Sequence, residues 1–190
     1  MSASRRKPLS RRLKIDRPIA LVGMMGAGKT TVGRRLAAAL DLPFHDADAE
    51  IEAAAGMKVA ELFERHGEES FRRGEAQVIE RLLCGAPIVL ATGGGALINP
   101  GTRALIAERA ISVWIRAEVD TLVKRATRRA TRPLLKNGDP HAIIARLLEE
   151  RRPLYETATI IIDSNAGGHA RTVNAITAEL ARHFDAEDAR

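Results

Sequence analysis

The sequence predicts an α/β fold, a parallel sheet covered by helices on both faces. Three observations carry that expectation. Short apolar runs alternate along the chain with stretches of helical periodicity, the pattern of repeated βαβ units. Two of the runs, Ile-Ala-Leu-Val and Ile-Val-Leu-Ala, are continuously apolar, as strands buried on both faces are. The first run passes through a glycine-rich turn straight into a helical pattern, as a crossover connection requires.

The elements follow in order. Residues 18–22, Pro-Ile-Ala-Leu-Val, form the first expected strand, and Val32, Leu36 and Leu40 mark a helix over residues 31–40. Residues 42–46 read as a second strand emerging into a loop. Helical patterns follow over residues 49–55, 59–66 and 69–83, with Gly56 and Gly67 as helix ends. Residues 87–91 are a third strand, broken by Thr92-Gly93-Gly94-Gly95. Asn99 or Thr102 opens a helix reaching residue 107; a fourth strand over residues 111–115 and a helix over residues 119–128 come next. The polar segment from Arg128 to Asp139, with Pro133, Asn137 and Gly138, has the composition of a mobile loop. A helix over residues 141–152, a strand over residues 159–162 and a helix over residues 170–184 complete the chain. In such a sheet, ligands sit beyond the carboxyl ends of the strands.

Length and composition bound the function. The chain has 190 residues, 45% of them hydrophobic, enough for one domain with its own core. No apolar run approaches the ~20 residues of a membrane span, and the basic N-terminus lacks the apolar stretch of a secretory signal. Cys84 is the only cysteine, so neither an intrachain disulfide nor a thiolate metal cage is available. A cytoplasmic location is the expectation. The net charge is +6, and much of the excess lies in residues 1–17, where Arg5, Arg6, Lys7, Arg11, Arg12, Lys14 and Arg17 face only Asp16. That segment reads as a disordered basic arm, residues 18–184 as a single domain and residues 185–190 as a polar tail. Aromatic residues make up 3% of the chain, too few for base-stacking platforms. Neither a nucleic acid nor a membrane is an expected partner; the positive charge points to small anions.

The turn after the first strand reads Gly23-Met24-Met25-Gly26-Ala27-Gly28-Lys29-Thr30, a complete G-x-x-x-x-G-K-[ST] phosphate-binding loop. The glycines let successive N–H groups point at phosphate oxygens. Lys29 brings a point charge, the Thr30 hydroxyl a ligand for Mg²⁺, and the following helix its positive end. Asp46-Ala47-Asp48 lies on the same sheet edge. One of these carboxylates serves as a helix N-cap in the simplest reading; in the functional one, one helps hold Mg²⁺ and the other accepts from substrate hydroxyls. Gly93, Gly94 and Gly95, again just past a strand, suit a substrate approaching the backbone closely. Arg72, Arg132, Arg151 and Arg152 offer planar forks for carboxylate or phosphate; residue type alone does not select among them.

Taken together, these residues resemble the shikimate kinase family. The likeness runs from about Ile19 to Leu180. It rests on Gly23 to Thr31, Asp46-Ala47-Asp48, Phe71-Arg72-Arg73-Gly74-Glu75, Thr92-Gly93-Gly94-Gly95, Arg132-Pro133-Leu134-Leu135 and Arg151-Arg152-Pro153-Leu154-Tyr155. The resemblance implies a P-loop three-layer α/β/α fold with a five-stranded parallel sheet in the order 2-3-1-4-5. A helical substrate-binding region would occupy residues 46–83 and a mobile lid residues 128–140, in a monomer. It implies transfer of the γ-phosphate of MgATP to the 3-hydroxyl of shikimate. Gly26, Ala27, Gly28, Lys29, Thr30 and Thr31 would hold the phosphates. Thr30, and Asp46 through water, would serve Mg²⁺; Arg125 would stack on adenine and Arg132 reach the phosphates from the lid. Asp48, Arg72, Arg151 and the Gly93–Gly95 stretch would bind shikimate, with Lys29, Asp48 and Arg132 taking part in catalysis. The sequence departs from the family after the last strand, where Asp163-Ser164-Asn165-Ala166-Gly167-Gly168-His169 replaces a basic or proline-containing segment and leaves the adenine contacts there unassigned. Another small-metabolite kinase of this fold, such as a gluconate kinase, is the nearest alternative. A nucleotide-binding regulator without transfer activity is a further one.

Overall fold

A computed structural model describes residues 13–128, 138–165 and 168–189. Five strands make one sheet: β1 (Ile19–Val22), β2 (Phe44–Asp46), β3 (Val89–Ala91), β4 (Ile111–Arg116) and β5 (Ile160–Asp163). Their order is β2-β3-β1-β4-β5 and every pairing is parallel, as expected. Leu21 stands beside Ala91 on one side and Val113 on the other. Every residue of β1 and β3 is buried. Those strands therefore have no solvent face, which is why their sequence does not alternate.

The α-helices among the described residues are α1 (Lys29–Leu40), α2 (Ala47–Ala55), α3 (Val59–Leu83), α4 (Pro100–Arg109), α5 (Val119–Ala126), α6 (Pro140–Tyr155) and α7 (Gly168–Asp188), with a short 3₁₀ turn at Ala96–Ile98. Within the core, α1 packs beside α7, α3 against α4, and α5 against α6. Gly67, with φ 75° and ψ 170°, breaks α3 where the sequence placed a helix end. Asn99, not Thr102, opens α4, its side chain accepting from the backbone N–H groups of Gly101 and Thr102 at 2.8 and 3.2 Å. Asp139 caps α6 and Pro140 fills its first position, where a missing N–H costs nothing.

Several boundaries differ from expectation, each for a physical reason. Helix α1 begins at Lys29 rather than residue 31, because Gly28 at φ 97° turns the loop directly into it. Helix α2 begins at Ala47, so Asp48 sits in a first helical turn rather than in a loop. Helix α6 continues through Pro153 to Tyr155, since a proline in the last turn forfeits only one backbone bond.

The arm and tail also need correcting. Residues 1–12 lie outside the described residues, but residues 13–17 are held in place. Leu13 and Ile15 pack against the core, Lys14 reaches Asp188 at 2.5 Å and Arg17 reaches Glu187 at 2.8 Å. Those acidic partners belong to the supposed tail, which instead continues α7 to Asp188. Exposed ion pairs contribute at most about 1 kcal/mol each, so the apolar contacts of Leu13 and Ile15 anchor the segment. No helix among the described residues is long and apolar enough to cross a membrane.

Candidate active site

The carboxyl ends of β1, β2 and β3 open into one cleft of about 760 Å³. Thr92 fixes its floor: the hydroxyl and the backbone N–H both donate to the Leu21 carbonyl, at 3.0 and 3.1 Å, tying the end of β3 to β1. The phosphate loop lines one side. Gly26 has φ 82°, and a β-carbon there would come within 2.5 Å of the Leu122 carbonyl oxygen, so both conformation and space require glycine. Lys29 is buried and donates to the carbonyls of Gly23 and Met24 at 2.6 and 3.0 Å. Gly28, Thr30, Thr31 and Arg125 share this side of the cleft.

At the end of β2, Asp46 does two things that the sequence reading set against each other. One carboxylate oxygen caps α2 by accepting from the Asp48 backbone N–H at 3.1 Å; the other accepts from the Thr30 hydroxyl at 2.7 Å. That hydroxyl–carboxylate pair beside the phosphate loop is a set of hard oxygen donors. It fits a small divalent cation that draws its remaining ligands from phosphate oxygens and water.

The opposite side is built from α3, α6 and the glycine run. Arg72 lies four residues after Glu68 and three before Glu75, so the three share a helix face. Its guanidinium donates to Glu75 at 2.6 Å and to Glu68 at 3.0 Å. Glu75 is almost wholly buried, and its Oε1 finds no hydrogen-bond partner among the described residues. Burial pushes the Glu75 carboxyl above the usual carboxylate range, against the pull of Arg72. For Arg72, burial works toward a lower pKa, but the Glu75 and Glu68 carboxylates outweigh it and the net move is upward. A β-carbon at Gly93 would collide with Glu75 Oε1, and one at Gly95 with the Arg72 guanidinium. At Gly94 it would press on the Met25 backbone N at 3.2 Å. The three glycines therefore let the acidic and basic side chains, and the phosphate loop, approach one strip of backbone.

Arg151 is buried on α6 and donates to the Gly94 carbonyl at 3.2 Å. One helical turn later, the Tyr155 hydroxyl donates to the same carbonyl at 2.5 Å. The Tyr155 ring stacks on Trp114 of β4, centroids 5.7 Å apart, and burial raises its phenol to about 12. Arg125 is pinned between elements: it donates to the Ala27 carbonyl at 3.3 Å and to the Ser164 carbonyl at 2.9 Å.

The cleft thus gathers Gly26, Gly28, Lys29, Thr30, Thr31, Asp46, Asp48, Arg72, Gly93, Gly94, Gly95, Arg125 and Arg151. Ala27 is buried within the loop. Arg132 and most of the expected lid lie outside the described residues. Sequence reasoning assigned no role to Glu75, Tyr155 or His169. For the first two a signal existed, the spacing of three from Arg72 and of four from Arg151. His169 lacked one, since only the fold brings it to the loop.

Comparison with known proteins gives a consistent result. The family model described as shikimate kinase matches residues 25–181. The shikimate kinase of Bradyrhizobium diazoefficiens is 54% identical over 173 residues, covering 91% of this chain and 84% of that protein. That of Rhodopseudomonas palustris is 58% identical over 165 residues, covering 87% and 81%. Among solved structures, shikimate kinase from Acinetobacter baumannii in complex with shikimate superposes with a TM-score of 0.88 at 38% identity, covering 92% of this chain and 98% of that one.

Proposed function

The chain belongs to the shikimate kinase family of ATP-dependent kinases acting on shikimate, in aromatic amino acid biosynthesis, and from that premise we propose how its cleft divides the work of transferring the γ-phosphate of ATP to the shikimate 3-hydroxyl. Gly26, Ala27, Gly28, Lys29, Thr30 and Thr31 hold the nucleotide phosphates. Thr30 and Asp46, the latter through water, hold Mg²⁺, which when bound supplies positive charge beside the phosphate oxygens. Arg72 and Arg151 pair with the shikimate carboxylate. Asp48 accepts from the ring hydroxyls and orients the attacking one, and the Gly93–Gly95 backbone lies against the ring. Arg125 takes the adenine end, and Arg132 completes the phosphate contacts from a lid over residues 128–140.

The observation that supports this reading most directly is the position of Gly94. Its carbonyl is held by Arg151 and Tyr155. Its α-carbon faces the phosphate loop so closely that a methyl there would come within 3.2 Å of the Met25 backbone N. An acceptor lying on the glycine run would therefore sit beside the loop that holds the phosphates. Phosphoryl transfer requires little more of a protein than such alignment and charge neutralisation. Lys29 would leave the carbonyls of Gly23 and Met24 for the phosphate oxygens, exchanging neutral acceptors for charged ones.

An acceptor panel tests the assignment. With MgATP present, shikimate should be phosphorylated, while its carboxamide, which keeps the hydroxyls but loses the charge, should react with a much higher KM and gluconate not at all. Activity on gluconate with none on shikimate would overturn it.

A further inference from the structure

His169 is the second residue of α7, and its ring lies over the phosphate loop. A β-carbon at Gly28 would approach its Nε2 to 3.4 Å and its Cδ2 to 3.5 Å. The side chain is half-buried and lines the cleft beside Gly28, Thr31 and Arg125. Among the described residues no hydrogen bond engages the ring, although it carries a donor and an acceptor nitrogen. A polar ring with no hydrogen-bond partner among the described residues, set against the backbone of the phosphate loop, is placed for a ligand rather than for packing alone.

The charges around it indicate what that ligand changes. Burial first, then Arg125 on α5 and Arg35 on α1, keep the His169 pKa below the ordinary histidine value, so the ring is neutral at physiological pH. A bound polyphosphate would bring negative charge to the same spot and offset the field of those two cations, which favours the imidazolium. The direction of proton movement follows: from solvent to His169 as the nucleotide arrives.

We infer that His169 is a nucleotide contact whose imidazole meets the phosphate chain on the loop and takes up a proton as that anion binds. The inference rests on the reading of the loop as the ATP site. It gives a role to a residue in the segment where this sequence departs from its family, and it makes nucleotide affinity depend on pH. Because the bound state raises the proton affinity of the ring, affinity should grow as pH falls, by no more than about tenfold per pH unit for one proton.

Titration calorimetry with MgADP tests it, in two buffers of different ionisation enthalpy near pH 6.5, the ordinary histidine value. The full-length protein should take up a fraction of a proton per MgADP bound, and its affinity should rise between about pH 8 and about pH 6. His169→Gln keeps a hydrogen-bonding side chain without titrating. It should still bind MgADP, but with smaller proton uptake and a flatter pH dependence; a thermal melt checks that it is folded. MgADP binding with equal proton uptake in both proteins would overturn the inference while leaving the ATP site intact. Failure of the unmodified protein to bind MgADP would overturn the ATP-site reading, and this inference with it.

Discussion

Replacing Tyr155 by phenylalanine removes one oxygen from the centre of the acceptor half of the cleft. That oxygen donates to the Gly94 carbonyl at 2.5 Å from a side chain that is 2% exposed. The carbonyl is not orphaned, because Arg151 still donates to it at 3.2 Å, and the ring keeps its stacking on Trp114. The loss is therefore one buried neutral hydrogen bond, about 1 kcal/mol. For a protein of this size that lowers the melting temperature by about 2–4 °C. Because the bond fixes the glycine run against which shikimate lies, the same loss should raise the KM for shikimate about fivefold and leave the KM for ATP unchanged. The pH dependence carries a second signature. Burial holds the phenol at about 12, above its ordinary 10.0. A proton held more tightly in the folded state stabilises it fully below pH 10, and that contribution is lost as pH rises through about 12. The stability of the unmodified protein should fall more steeply across that interval than that of Tyr155→Phe. Steady-state kinetics with each substrate varied, and chemical denaturation from pH 9 upward, provide the measurements. Equal increases in both KM values, or no change in either KM or melting temperature, would refute the role given to this hydroxyl.

Three further outcomes are expected. Arg151→Ala should weaken shikimate binding by about 2–5 kcal/mol, the cost of truncating one of the two cations that pair with its carboxylate, while MgADP affinity measured by calorimetry stays the same; parallel loss of both would argue against the assignment. Lys29→Ala should lower kcat by a factor of about 10²–10³ with both substrates saturating, since its charge serves the transition state, and near-normal turnover would contradict that role. Deleting residues 1–12 should leave kcat, both KM values and thermal stability unchanged. Extending the deletion to residue 17 should lower the melting temperature, because Leu13 and Ile15 pack on the core.

The features legible in the sequence are those in which a short segment carries its own physical reason. The phosphate loop is one, since glycine, lysine and threonine at fixed spacing answer the needs of a phosphate whatever surrounds them. The buried strands are another: β1 and β3 are continuously apolar because both faces are covered. Gly93–Gly95 was readable as a close approach, but what approaches was not. Glu75 and the Arg72 guanidinium arrive from α3, and Met25 from the loop after β1. Asp46 shows why a choice between capping and function was not decidable locally. Its two oxygens serve both, and the second role depends on Thr30, sixteen residues away. Tyr155 stands four residues after Arg151, a spacing that counts only because the helix runs on to Tyr155 rather than ending at residue 152 as expected. The segment 13–17 reads as disordered because it is basic and poor in apolar residues; Arg17 pairs locally with Asp16, but the partners that tie the segment to the fold lie at the far end of the chain, on Glu187 and Asp188.

An ADP-release assay with purified protein, MgATP and shikimate present or absent tests the central claim most directly, with the product identified by phosphorus NMR. Alignment of the two substrates on Gly94 and the phosphate loop predicts release of ADP that depends on shikimate and matches, mole for mole, the appearance of the 3-phosphate ester. Release at the same rate without shikimate, or ester formation at a different hydroxyl, would contradict it.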